Sequence, residues 1–142
     1  MVRHTRDGFA LTLVLGSALG LASGCGSNSA VVTEPKAKAE RVQESSLAQL
    51  GDLLRLHKEN SGGTPAKADL AKFERAYPLA YGKLKSGEIV LLPGASLQEG
   101  VADKVLAYEK KAPESGGHVL MQDGTTIKKM TPEEFKAAPK AG

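Results

Sequence analysis

The chain has one cysteine, no tryptophan, and only three Phe and three Tyr among its 142 residues. A single thiol cannot close an internal disulfide, so the fold must hold without a covalent cross-link. Past the N-terminal segment the aromatics are Phe73, Tyr77, Tyr81, Tyr108 and Phe135, which leaves Leu, Val, Ile and Ala to build the core. A dense basic block is also missing: 19 Lys and Arg stand against 16 Asp and Glu, a formal net charge of +3. After the N-terminal segment the only basic doublets are Lys110-Lys111 and Lys128-Lys129. Such scattered lysines read as solvated strand ends and give no stripe for nucleic acid. The sequence carries no G-x-S-x-G, S-x-x-K or phosphate-loop motif, and His4, His57 and His118 show neither H-E-x-x-H nor zinc-type Cys/His spacing. Glu133-Glu134 is the type of acidic pair that favours a helix's first turn, and Asp123 stands outside any calcium-loop pattern. No enzyme activity, cofactor or metal is expected, and the sequence identifies no small-molecule ligand or ligand-binding residue. His57 reads as a histidine packed near a helix end.

What is present begins at the N-terminus. Met1–Gly8 carries Arg3 and Arg6, Phe9–Ala22 is an uninterrupted apolar, small or hydroxyl run, and Ser23 and Gly24 follow. Residues 1–24 have the order and proportions of a secretory signal, and the run falls short of the roughly 20 residues that span a bilayer as a helix. The ending Leu21-Ala22-Ser23-Gly24-Cys25 resembles the lipobox of bacterial lipoproteins, although Ala22 stands where that pattern prefers Leu. The resemblance implies that Cys25 becomes the acylated first residue of the mature chain, which also accounts for an unpaired thiol in an exported protein. Several acyl chains, at about 0.8 kcal/mol per buried methylene, anchor stably where one does not. Gly26 follows the cysteine where an inner-membrane retention signal would place Asp. The resemblance therefore implies an outer-membrane anchor facing the periplasm. Two other fates use the same residues: ordinary cleavage after Ala22-Ser23-Gly24, and cleavage after Gly8. Arg6-Asp7-Gly8-Phe9-Ala10-Leu11 resembles the start of a type IV prepilin, with Leu13 where that family carries Glu.

The rest is expected to be a lipidated tether over residues 25–40, one domain over 41–138, and a frayed tail over 139–142. Leu47, Leu50, Leu53, Leu54 and His57 recur at helical spacing, which predicts a helix from about Glu40 to Asn60 despite Gly51. Thr64-Pro65 reads as an N-cap and first position of a second helix to about Ala76, and Leu79–Lys85 adds a further turn. Strands are predicted over Glu88–Leu92, Asp103–Glu109, His118–Gln122 and Thr125–Met130. In the second, Val105 and Ala107 should share one face, with Lys104, Leu106 and Tyr108 on the other. Asp123-Gly124 marks a hairpin, either a two-residue type I′ turn or a three-residue loop with Gly124 left-handed; the latter puts Val119, Met121 and Ile127 on one face. Thr131-Pro132-Glu133-Glu134 is a capping box for a short helix pinned by Phe135. The expected fold is α+β: two N-terminal helices packed on an antiparallel sheet of about four strands, closed by a short C-terminal helix.

Three stretches carry a wider resemblance. They are Ala80–Gly87, Val105–Lys110, and the pair of runs Gly116–Gly124 and Met130–Phe135. Together they resemble a group of small exported planctomycete lipoproteins with a pilin-like C-terminal portion. The resemblance implies no activity and carries no catalytic residue over. It leaves an envelope lipoprotein acting as a non-catalytic structural or interaction module, with membrane lipid and an envelope protein as partners. A pilin-like subunit of a filament or secretion system is the alternative.

Overall fold

Leucines spaced three and four apart give a helix one apolar edge, and the remainder of the chain folds onto that edge. The computed structural model describes residues 34–63 and 65–142. Helix α1 spans Glu34–Ser61 and buries Leu47, Leu50, Leu53, Leu54 and His57. It starts at Glu34, not near Glu40. Pro35 sits in the first turn, where a missing N–H leaves no bond unmade. Residues 34–40, expected as tether, are therefore helical. The signal segment, the Gly8-Phe9 site, Cys25 and the tether through Thr33 lie outside the described residues. From Lys36 to Ser45 α1 is mostly exposed, and burial begins at Ser46, whose Oγ donates to the Val42 carbonyl at 2.6 Å.

The second expected helix is divided. Its N-cap residue Thr64 lies outside the described residues, and the helix itself starts later: α2 spans only Lys67–Leu70, with Ala66 as N-cap, and a 3₁₀ turn covers Ala71–Phe73. Leu70 is the one buried apolar anchor there, too little to sustain a longer helix. Pro78 then excludes Tyr77 from helical geometry and opens helix α3, Pro78–Ser86. The side chain of Gln49 on α1 accepts hydrogen bonds from the Leu79 and Ala80 N–H groups, at 3.1 and 3.4 Å. Two otherwise unpaired donors at the start of α3 are thus met from α1.

Four strands form an antiparallel sheet in sequence order: β1 Ile89–Leu91, β2 Val105–Glu109, β3 Gly117–Met121 and β4 Ile127–Met130. The fold is α+β, with helices on both faces of the sheet. One face packs Ile89, Leu106, Ala107 and Leu120 against α1 and α3. The other packs Val105, Val119 and Met121 against Ala112, in the short helix α4 Ala112–Ser115, and Phe135, in α5 Pro132–Ala137. Strict alternation fails in β2, because a bulge between Val105 and Ala107 sends both Leu106 and Ala107 to the α1 side. Ile127 also departs from expectation. It pairs with Leu120 and faces α1, whereas Val119 and Met121 face away. Gly124 is left-handed as expected, with φ 72°, but the loop is longer than the three residues that would align Ile127 with Val119. A one-residue change of register moves a side chain to the opposite face.

Asp123 holds that longer loop. Its carboxylate accepts from the Thr125 and Thr126 N–H groups, at 3.0 and 2.9 Å, and from both threonine hydroxyls. The loop backbone then lies directly against α1 at Gly51. A Cβ at Gly51 would fall inside the van der Waals envelope of the Gly124 carbonyl oxygen. The C-terminal residues are also docked, not frayed. Ala141 is buried, its N–H donates to the Val105 carbonyl at 2.8 Å, and the Val105 N–H donates to Pro139 at 2.9 Å. A parallel bridge thus forms between Val105 and Lys140.

Two measurements check this packing. Gly51→Ala gains about 1 kcal/mol of helix propensity, yet it should lower unfolding stability by a net 1–3 kcal/mol or so, because the atom it meets is backbone. Urea denaturation reads the sign directly; a stabilised variant would contradict the close approach. Burial by itself would raise the Asp123 pKa, but hydrogen bonds from Thr126 and Thr125 outweigh it and hold the group at about 2. A depressed carboxyl pKa adds stability above the unfolded value and loses it as pH falls through the folded one. The stability advantage of the wild type over Asp123→Asn should therefore shrink by about 2 kcal/mol between pH 5 and pH 2. A difference that stays constant across that range would show that the loop does not depend on the ionised carboxylate.

Candidate functional site

Strand β2 is apolar until its last residue, Glu109, which lies two places beyond Ala107 on the α1 side. Its side chain is only 2% exposed. One oxygen, Oε2, accepts the His118 backbone N–H at 2.7 Å and lies 3.5 Å from His118 Nδ1 and 3.7 Å from Lys111 Nζ. Gly117 on the neighbouring strand makes this possible: a Cβ there would stand 2.5 Å from Oε2. The carboxylate occupies the space a side chain would fill.

Above Glu109 is a cleft of about 620 Å³ between the exposed first turns of α1 and the ends of β2, β3 and β4. Gln43 and Glu40 enter it from α1, His118 and Lys129 from the sheet, and Lys111 from the β2–α4 connection. Four buried side-chain polar atoms lack a hydrogen-bond partner among the described residues, and three of them belong to this cleft: Gln43 Oε1, Glu109 Oε1 and His118 Nδ1. An unmet buried polar atom costs about 1–3 kcal/mol, so three in one place make this corner of the fold costly to pack.

Three other charged groups of the cleft, Glu40, Lys129 and Glu134, are engaged, and Lys36 lines it from the first turns of α1. Lys129 Nζ donates to Glu40 Oε1 at 2.6 Å, and that bond holds the Glu40 pKa below and the Lys129 pKa above their ordinary values. Glu134 completes the predicted capping box, with Oε2 accepting the Thr131 N–H at 2.8 Å and its own N–H donating to Thr131 Oγ1 at 3.2 Å. Elsewhere, a groove of about 370 Å³ runs along β1 past Leu70, Leu84 and Leu92. Among the described residues no ionisable side chain lines it.

The residues singled out in the sequence separate accordingly. Cys25 lies outside the described residues. His57 is 7% exposed and meets Phe73 edge-on, with ring centroids 6.4 Å apart, as a packing histidine does. Asp123 serves its own loop, and Glu134 serves a helix end. His118 reaches the cleft, as do Glu134 and the doublet lysines Lys111 and Lys129, beside Gln43 and Glu109, which the sequence reading left out. Their signal was an acid closing an apolar strand just ahead of Gly116-Gly117-His118. Among the described residues no three His, Cys, Asp or Glu side chains gather as a metal-binding group. No family model, curated protein or solved structure matches the chain.

The fit between Gly117 and Glu109 is testable. Gly117→Ala should destabilise the fold by about 1–3 kcal/mol, and pairing it with Glu109→Ala should recover part of that loss. Strictly additive effects in a double-mutant cycle would show that the glycine is not there for the carboxylate.

Proposed function

We propose that the chain is a membrane-anchored bacterial lipoprotein, held through acylated Cys25 and serving as a non-catalytic structural or interaction module of the cell envelope. The observation that carries this reading is the Leu21–Cys25 sequence at the end of an apolar run too short to span a bilayer. No helix among the described residues is long and apolar enough to cross a membrane, so attachment in this reading depends on the N-terminal segment. The domain would face the periplasm from the outer membrane and meet an envelope protein. In this reading the partner would lie along the cleft beside α1, whose Glu40, Lys129 and Glu134 are committed to structural pairs.

A pilin-like subunit is the second reading, and one observation favours it. α1 continues through Pro35 to Glu34 without the irregular segment a tether would show there, and its C-terminal half forms the spine of a four-stranded antiparallel sheet. Against it stands Leu13 in place of the Glu that the prepilin pattern requires.

Mass spectrometry of the mature N-terminus separates the two. A chain beginning at acylated Cys25, and its loss in Cys25→Ala, is the expected result. A chain beginning at Phe9 would overturn the lipoprotein reading in favour of the pilin.

A further inference from the structure

We propose that the β3–β4 loop is a guarded modification site: the Asp123–Gly124 bond converts to isoaspartate when the loop opens, and four hydrogen bonds from Thr125 and Thr126 keep it from doing so in the folded domain. The modification falls where sheet and helix approach most closely. The inference goes beyond the anchoring role and stands whichever way that reading falls.

The reaction needs only this chain and water. The Gly124 nitrogen attacks the Asp123 Cγ and gives up its proton, the Cγ–O bond breaks, and the hydroxyl leaves as water, which closes a succinimide ring. Water then adds to one of the two ring carbonyls and breaks its bond to nitrogen. Addition at Cγ restores aspartate; addition at the Asp123 backbone carbonyl leaves the chain running through Cγ as isoaspartate. Mass and oxidation state are unchanged. Glycine in the second place permits the ring most readily, because it has no Cβ to crowd the attacking nitrogen and takes up backbone conformations that other residues avoid.

In the folded domain each requirement is opposed. Asp123 Oδ1 accepts the Thr125 and Thr126 N–H groups at 3.0 and 2.9 Å, and Oδ2 accepts the two hydroxyls at 2.9 and 2.5 Å. A carboxylate turns as one plane, so presenting Cγ to the Gly124 nitrogen disturbs the whole set. That nitrogen is itself engaged, its N–H donating to the Met121 carbonyl at 3.0 Å. Burial by itself raises the Asp123 pKa, but hydrogen bonds from Thr126 and Thr125 outweigh it and hold the group at about 2, so the neutral carboxyl from which water leaves is scarce. The fold also has no slack for the product. Isoaspartate adds one methylene to the backbone beside Gly124, whose carbonyl already lies against Gly51 and where a Cβ would stand 2.5 Å from Leu97 Cδ1. An isomerised loop therefore does not reseat against α1 without displacing it.

The test is to age the full-length chain in mild detergent at neutral pH, folded and in guanidinium chloride, and to follow isoaspartate in the tryptic peptide 112–128 by electron-transfer mass spectrometry. The folded chain should convert more slowly than the unfolded one by about tenfold or more. Thr126→Val removes one hydroxyl bond to Asp123 and should raise the folded rate about threefold or more. Thr125→Val, at an exposed position, should act in the same direction and carries the test if Thr126→Val does not fold. Thr131→Ala weakens the fold at the α5 cap, away from the loop, and should leave the folded rate within about twofold of the wild type. A folded rate equal to or above the unfolded one, indifference to both hydroxyl substitutions, or equal acceleration by Thr131→Ala overturns the proposal.

Discussion

The approach of α1 to the β3–β4 loop, glycine against backbone carbonyl, sets the spacing of everything around it. With no Cβ at Gly51, the Gly124 carbonyl can reach the helix itself. Sheet and helix then sit close enough for Leu47, Leu50 and Leu54 to share a core with Leu106 and Leu120. The same contact aligns α1 along its own length. Gln43 lies about 12 Å from Gly51 up the helix at ~1.5 Å per residue, and so comes to rest at the cleft that also holds Glu109. A glycine that weakens the helix as an isolated element is what allows it to seat on the sheet.

The cleft then follows from a conflict the fold leaves unresolved. The sheet face beneath α1 is apolar as far as Ala107 and ends on an acid. An ionised carboxylate is tolerated in such a place only if hydrogen bonds replace water, and the His118 N–H replaces it at one oxygen alone. Gly117 permits the burial, and the polar N-terminal turns of α1 roof the space without filling it. The opposite face of the sheet shows how such a demand looks when it is met. There Lys140 lies over the Phe135 ring at 4.2 Å and donates to the carbonyls of Phe135 and Ala138, with burial lowering its pKa.

Much of the architecture was legible because it rests on local patterns. The leucine stripe of α1, the β-branched stretch at Ile89, the Asp-Gly hairpin and the Thr131 capping box each specify an element through residues a few places apart. What was not legible depends on partners far away in sequence. The bulge at Val105–Ala107 and the register of Ile127 are set between strands, and the docking of Ala141 depends on Val105. Gly51 read as a defect, because its reason sits on a loop more than seventy residues later. The cleft was hidden in the same way. His118 was visible as a histidine, but Gln43 and Glu109 resemble ordinary surface residues until α1 and β2 are brought together.

The exposed beginning of α1 has a mechanical meaning. Its first turns bury little, and an isolated polar helix of that length is marginal, so their helicity depends on what they touch. The Glu40–Lys129 pair joins them to β4, and an exposed pair of this type weakens as salt rises. The ion pair therefore acts as a salt-sensitive latch between the first turns of α1 and β4.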